Sequence, residues 1–99
     1  MDKSLIVNKL KRNKEVFKKQ FGILKIGLFG SYSTNNQHQN SDIDLVYELE
    51  EGKFLGLKEL YELEVFLKDL FKIDKVDVVN KKYINPIIES EMVKTVIYV

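Results

Sequence analysis

Short apolar segments alternate along the chain with longer segments of helical periodicity. Short apolar runs are typical of buried strands, whereas amphipathic helices repeat their apolar residues at a period of about 3.6. The predicted order is helix, strand, strand, helix, strand, helix, strand, over residues 4–20, 23–29, 42–49, 55–71, 75–79, from Asn85-Pro86 onward, and 95–99. We therefore predict an α+β fold with two layers, in which helices cover one small mixed β-sheet.

The ends of the predicted helices carry residues that favour helix starts and stops. Ser4 is the expected N-cap of a single helix over residues 4–20, and Gly22 follows its end, where a left-handed residue is favoured. Asn85 is the expected cap of the last helix, because Pro86 then takes the first helical position.

The composition fits one globular domain over residues 1–99 and excludes several kinds of active site. Hydrophobic residues make up 44% of the 99 residues and charged residues 31%, as in ordinary globular domains. The chain has no cysteine, which excludes a disulfide scaffold, a cysteine-ligated zinc site and a thiol nucleophile. The single histidine, His38, excludes a two-histidine metal site. An active site in this chain must therefore be built from carboxylates, hydroxyls, lysines and backbone amides.

The sequence shows no membrane span and no signal peptide. No apolar run approaches the roughly 20 residues that cross a bilayer, and the first residues lack the apolar core of a secretory signal. We therefore expect a cytoplasmic protein with no membrane partner.

The net charge of +1 conceals a segregation of charge along the chain. Residues 1–20 hold seven basic and two acidic residues, whereas residues 48–70 hold seven acidic residues and three lysines. Opposed surface potentials of this kind bias the choice of a binding partner. The alternative is that two amphipathic helices simply expose solvated polar faces.

Gly30 and Ser31 follow the strand predicted over residues 23–29. A glycine at this point lets a ligand approach the backbone closely, and free amides with a serine hydroxyl bind phosphate oxygens. A Gly-Ser pair after a strand is more often an ordinary turn, so the pair alone is weak evidence for a phosphate site.

Asp42 and Asp44 are expected to project from one face of a strand. Residues i and i+2 of a strand share a face, about 7 Å apart, and two close carboxylates favour a cation between them. Mg²⁺ is the natural candidate because it prefers oxygen ligands. The alternative is a pair of solvated acids on an edge strand or in a turn.

Asp77 lies among valines in the strand predicted over residues 75–79. If this strand neighbours the one over residues 42–49, Asp77 joins Asp42 and Asp44. Three carboxylates on adjacent strands suit two Mg²⁺ ions about 3.5–4 Å apart, as in phosphoryl-transfer sites. The alternative is an edge-strand charge that opposes aggregation.

The combination of Gly30-Ser31-Tyr32, Ser41-Asp42-Ile43-Asp44-Leu45 and the distal Asp77 resembles the nucleotidyltransferase superfamily that includes DNA polymerase beta and kanamycin nucleotidyltransferase. In that superfamily a Gly-Ser pair precedes an Asp-x-Asp strand by about ten residues. The short length is similar to that of the minimal nucleotidyltransferases (MNT). The resemblance extends from about residue 5 to residue 99.

The resemblance implies a role for each matching residue. Asp42 and Asp44 would bind two Mg²⁺ ions, or Mn²⁺, and Asp77 would bind one of them and help deprotonate the attacking hydroxyl. The segment from Gly30 through Ser31, Tyr32, Ser33 and Thr34 would bind a nucleoside triphosphate, expected to be ATP. Minimal members often act as antitoxins that transfer AMP to a tyrosine of a HEPN-domain ribonuclease toxin, so a HEPN protein is the expected partner.

One departure from the family pattern concerns residues 33–35. Many minimal members read Gly-Ser-x-Ala-Arg-Gly, whereas this chain has Thr34 at the arginine position and Asn35 at the second glycine position. A threonine hydroxyl cannot replace the bidentate contact of arginine with phosphate. We therefore expect reduced triphosphate affinity or turnover, with the three acids retained.

Two other functions remain open from the sequence. A binding module could neutralise a toxin by contact alone, which the segregated charge and Thr34 favour. A transferase acting on RNA or an aminoglycoside is the other alternative, because the lysines of residues 4–20 could meet RNA phosphates. Solubility explains those lysines equally well, and antibiotic-modifying members usually carry an added domain, so neither of these acceptors is favoured.

Overall fold

The computed structural model describes residues 2–30 and 43–99. Within these residues the helices are α1 (Lys3–Arg12), α2 (Lys14–Phe21), α3 (Leu57–Phe71) and α4 (Pro86–Met92), with a 3₁₀ turn at Lys81–Tyr83. The strands are β1 (Ile23–Phe29), β2 (Ile43–Leu49), β3 (Val76–Asn80) and β4 (Ile97–Tyr98).

The four strands form one mixed sheet in the order β3-β2-β1-β4. β1 is antiparallel to both β2 and β4, whereas β2 and β3 are parallel. Parallel neighbours need a crossover connection, and α3 supplies it between β2 and β3. The α+β class with a small mixed sheet is therefore confirmed.

The core forms where α1, α2 and α3 pack on one face of the sheet. Ile43 and Leu45 of β2 are buried together with Leu63 and Leu67 of α3, each at most 1% exposed. Fully burying a side chain of this size contributes about 1.5–3 kcal/mol. Leucines of α3 therefore pack in the core. This packing leaves the opposite face of β2 uncovered by these helices.

The predicted single helix over residues 4–20 is wrong, because the chain breaks at Asn13. The Asn13 side-chain amide donates to the Lys9 carbonyl at 2.8 Å, and its backbone N–H donates to the Leu10 carbonyl at 3.1 Å. Asparagine competes in this way for helix carbonyls. The apolar face nevertheless continues across the break, since Leu10 and Phe17 are both buried.

The predicted helix ends are confirmed in two of three cases. Gly22 ends α2 with φ +68°, and the Asn85 carboxamide oxygen accepts a hydrogen bond from the Ile87 N–H at 2.8 Å. Ser4 is not the first cap, because α1 begins at Lys3 and its N-cap is Asp2, two residues earlier. There the Asp2 carboxylate accepts from the Leu5 N–H at 2.9 Å.

In the part of the chain that the structure describes, no helix is both long and apolar enough to cross a lipid bilayer.

Candidate active site

Asp44 and Asp77 lie side by side on the face of the sheet that is turned away from the core. The parallel register of β2 and β3 pairs Asp44 with Asp77, and neighbouring strands are about 4.8 Å apart. The residues that flank Asp44, Ile43 and Leu45, are in the core. Alternation therefore turns both acids to the opposite face, as the sequence predicted. Asp77 is exposed and Asp44 is half-buried.

Gly30 meets the Asp44 carboxylate at the end of β1. Phe29 pairs with Asp44 across the strands, and Gly30 follows with φ +79°. A Cβ on Gly30 would overlap Oδ2 of Asp44 and lie 3.2 Å from its Cγ. Glycine is thus required at this position both by its backbone angle and by the close approach of a site carboxylate.

The other predicted site residues lie outside the described residues. These are Ser31, Tyr32, Ser33, Thr34 and Asp42. Among the residues that the structure does describe, no group of three or more histidine, aspartate or glutamate side chains could hold a metal ion. The structure therefore brings together two of the three predicted acids with Gly30, and leaves the phosphate loop as a prediction.

The paired carboxylates of Asp44 and Asp77 fit the donor chemistry of a divalent cation. Both are hard oxygen ligands on one exposed face, which is what Mg²⁺ prefers. Two like charges on adjacent strands repel each other unless a cation compensates them. The carboxylates of Asp44 and Asp77 therefore fit the donor chemistry of Mg²⁺ and would be ligands if the ion is bound.

Two lysines near the far end of β2, Lys25 and Lys81, lie away from Asp44. Lys81 pairs with Glu48, with 3.9 Å between Nζ and Oε1. Lys25 pairs with Glu48 in the strand register, and its Nζ lies 5.7 Å from the centre of the Tyr98 ring. Glu48 is four residues beyond Asp44, or about 13 Å along the strand. Neither lysine thus neighbours the acids.

Tyr98 also occupies this face, and sequence reasoning missed its position. Its partner in the register is Gly27, where a Cβ would come within 2.9 Å of the ring atom Cδ1. The Tyr98 hydroxyl is buried and has no hydrogen-bond partner among the described residues. Burial raises the pKa of the Tyr98 phenol, and nearby Lys81 opposes that shift. A glycine inside an apolar strand was the signal for this close approach.

A cavity of about 1070 Å³ lies at the carboxyl ends of β2 and β3. Its lining includes Phe54 before α3, Tyr83 in the 3₁₀ turn and Ile88 in α4. Val79 also lines it and shares a strand face with Asp77. The cavity therefore adjoins the face that carries the acids.

Residues 10–98 match the model of a protein family described as Nucleotidyltransferase domain. The chain is 34% identical over 91 residues to MJ1379 of Methanocaldococcus jannaschii, to which protein adenylyltransferase activity is provisionally assigned. That alignment covers 91% of this chain and 90% of the relative. The chain is also 32% identical over 90 residues to the protein adenylyltransferase MntA of Thermococcus cleftensis, covering 91% of this chain and 88% of the relative.

Solved structures share the fold. In the crystal structure of a toxin–antitoxin with AMP-PNP, one chain matches with a TM-score of 0.68 and 26% identity, covering 99% of this chain and 72% of that chain. A chain from the structure of the tri-AMPylated Shewanella oneidensis HEPN toxin in complex with MNT antitoxin matches with a TM-score of 0.67 and 23% identity. The match covers 97% of this chain and 70% of that chain. The second likeness shows the fold alone.

Proposed function

Because the chain belongs to the nucleotidyltransferase domain family, we propose that it transfers AMP from ATP to a hydroxyl group, and that the acceptor is a tyrosine of a HEPN-domain toxin. In this role the chain is the antitoxin. The observation that carries the proposal is the in-register pairing of Asp44 with Asp77 beside Gly30. Relatives named as protein adenylyltransferases support the reaction class, and the toxin–antitoxin structure with AMP-PNP supports the partner.

In the proposed reaction, the chain's own residues bind the triphosphate and prepare the attacking hydroxyl. The Gly30 backbone and Ser31 hold the β- and γ-phosphates. Asp42, Asp44 and Asp77 hold Mg²⁺, which would neutralise charge on the phosphate oxygens. Asp77 accepts the proton of the acceptor hydroxyl. The hydroxyl oxygen then bonds to the α-phosphorus, the bond from that phosphorus to the bridging oxygen breaks, and pyrophosphate leaves.

The test is transfer of label from α-labelled ATP to a HEPN-domain toxin from the same genome, in the presence of Mg²⁺. Asp44→Asn and Asp77→Asn are each expected to reduce transfer by at least about 100-fold, since a lost metal ligand costs at least as much as a lost outer-shell partner. Asp69→Asn is the matched control because this exposed acid at the end of α3 pairs with Lys72 and not with the site. The absence of transfer by the wild type would refute the proposal.

Thr34 offers a second test of triphosphate binding. Thr34→Arg supplies the bidentate phosphate contact of the usual family pattern. A charge-assisted pair of this kind is expected to tighten ATP binding about 10-fold. Titration of the chain with ATP and Mg²⁺ measures it, and Thr34→Lys adds the same charge without the fork geometry. Equal affinities for the wild type and Thr34→Arg would contradict a phosphate-binding role for position 34.

The alternative is that the chain neutralises its toxin by contact alone. The observation that favours it is the segregated charge of residues 1–20 and 48–70. Under this alternative a chain carrying both Asp44→Asn and Asp77→Asn still protects cells that express the toxin. Under the proposed reaction the same variant loses protection while the complex still forms.

A further inference from the structure

Apolar side chains continue from the two acids along the same face of the sheet. Val79 lies two residues beyond Asp77 on β3, so it shares that face at a spacing of about 7 Å. Phe29 pairs with Asp44 across β1 and β2. Both apolar residues line the cavity of about 1070 Å³ at the end of the sheet, together with Ile88 of α4. The paired acids therefore border an apolar surface.

Helix α4 covers part of this face and leaves the β3 side open. Val46, two residues beyond Asp44 on β2, is 0% exposed but is not part of the core cluster on the opposite face. Met92 of α4 is also buried outside that cluster. Val79 and Ile88, in contrast, are 37% and 56% exposed. These two residues form an accessible apolar surface next to the acids, which we call the β3 shelf.

The order of the strands places the β3 shelf on the side from which the acceptor attacks. Gly30, Asp44 and Asp77 follow one another across β1, β2 and β3. In the proposed reaction pyrophosphate leaves on the side of Gly30, which holds the β- and γ-phosphates. The attacking and leaving oxygens lie roughly in line in phosphoryl transfer, so the acceptor hydroxyl approaches from the side of Asp77. The group that carries this hydroxyl therefore lies next to Val79.

The nucleoside of ATP is a poorer occupant of the β3 shelf. Its oxygen on the α-phosphorus is neither the attacking nor the leaving oxygen, so the nucleoside projects away from the line that joins Gly30 to Asp77. A phenol fits better, because it combines a large apolar ring with a hydroxyl at the tip of that ring. A phenolic hydroxyl at Asp77 brings the ring over Val79.

We propose that the β3 shelf receives the aromatic ring of the acceptor and selects a phenolic hydroxyl over an aliphatic one. The inference rests on the proposed function and assigns the choice of acceptor at the same site. Val79 and Ile88 pack against the ring, while Asp77 accepts the proton of its hydroxyl. An acceptor such as serine or ribose leaves this apolar surface in contact with water, so it gains less from binding. Val79 and Ile88 are thus specificity-determining residues.

The first test measures kcat/KM for a HEPN-domain toxin from the same genome, and KM for ATP. Val79→Thr keeps the branched shape of the side chain but places a hydroxyl against the ring. We expect kcat/KM for the toxin to fall about 10-fold, with KM for ATP unchanged. Val79→Ile keeps the apolar surface and is expected to retain the wild-type value. Val93→Thr is the matched control, because Val93 is 55% exposed at the end of α4 and is not among the described residues that line the cavity.

The second test measures binding without any transfer. N-acetyltyrosinamide is titrated into the wild-type chain, and the methyl signals of the chain are followed by NMR. The ring is expected to shift the methyl signals of Val79 and Ile88 and to leave those of Val93 in place. N-acetylserinamide and ATP are expected to leave all of these signals in place.

Together the two tests decide the inference separately from the proposed reaction. An unchanged kcat/KM for the toxin in Val79→Thr overturns it. A raised KM for ATP in that variant, or methyl shifts caused by ATP, also overturns it, because the nucleoside is then the occupant. Where the wild type transfers no label, the methyl signals decide: shifts caused by N-acetyltyrosinamide uphold the β3 shelf and refute the reaction, and their absence overturns the shelf. A melting temperature near that of the wild type verifies that each variant is folded.

Discussion

Gly30 follows β1 and lies against the carboxylate of Asp44. The absence of a side chain at Gly30 leaves the space that this carboxylate occupies. The residue combines a left-handed backbone angle with contact to a site acid. These two requirements have different costs: the angle affects stability, whereas the contact affects the position of the carboxylate. Gly52 separates the two effects, because it has φ +83° and would meet no atom within 4 Å of an added Cβ.

Gly30→Ala and Gly52→Ala are therefore expected to differ in activity more than in stability. Each introduces a left-handed alanine, which costs about 1–2 kcal/mol, so both melting temperatures fall. Only Gly30→Ala also displaces Asp44 and reduces the proposed AMP transfer, by about 100-fold if the carboxylate moves by 1 Å. Thermal denaturation and the label-transfer assay measure the two effects. Equal activity of the two variants would show that Asp44 does not need its present position.

Removing the hydroxyl of Tyr98 and that of Tyr47 is expected to change stability in opposite directions. Tyr98→Phe removes a hydroxyl that has no hydrogen-bond partner among the described residues, so stability is expected to stay equal or rise. Tyr47→Phe removes a hydroxyl that hydrogen-bonds the Asn80 side chain, and is expected to cost about 0.5–1.5 kcal/mol. Urea denaturation of both variants checks this order, and a larger loss for Tyr98→Phe would contradict it.

At the scale of elements, caps and packing decide where helices begin and end. Periodicity predicted the buried faces of α1, α2 and α3, because helical spacing is a property of the sequence itself. It did not predict the break at Asn13, since a side-chain amide that bonds one helix carbonyl leaves the apolar period intact. Ser4 is not the cap for a similar reason, because Asp2 offers an oxygen two residues earlier.

The cap of α4 can be tested by removal. Asn85→Ala deletes the bond from the Ile87 N–H, and loss of an asparagine cap costs about 0.5–2 kcal/mol. Asn8→Ala is the control, because Asn8 is exposed inside α1, where alanine favours the helix. Chemical denaturation should show a loss for Asn85→Ala and none for Asn8→Ala. Equal losses would indicate that α4 is held by the burial of Met92 and not by its cap.

At the scale of the molecule, the sequence indicated which strands carry acids, but not how the strands are ordered. Asp44 and Asp77 could be predicted to share a site only if their strands were neighbours, and no local pattern specifies that pairing. The placement of β4 on the far side of β1 was equally hidden, because it depends on Tyr98 lying over Gly27. The order of the strands therefore depends on packing between distant segments, which the periodicity of the sequence does not reveal.

The whole molecule is expected to lose stability in alkali through its buried phenols. Burial raises the pKa of Tyr47 and of Tyr98 above the ordinary value of 10.0. The folded state thus holds these protons after the unfolded state releases them, so stability is retained below pH 10 and falls as the pH rises above it.

Denaturation between pH 9 and about pH 12 measures this loss. The variant with both Tyr47→Phe and Tyr98→Phe should lose less stability over that range than the wild type. Tyr61→Phe, which changes a phenol 68% exposed, should follow the wild type. If the stability of the double variant fell with pH as steeply as that of the wild type, Tyr47 and Tyr98 would not be the cause of the loss.

The parallel pairing of β2 with β3 has a consequence for refolding. Asp44 and Asp77 come together only after the intervening chain, including the whole of α3, has crossed over the sheet. Contacts between residues distant in sequence form slowly, because the connecting loop must close before they contribute stability. Helical signal should therefore return early after dilution from denaturant, whereas the proposed binding of Mg²⁺ at the paired acids should return in the last kinetic phase.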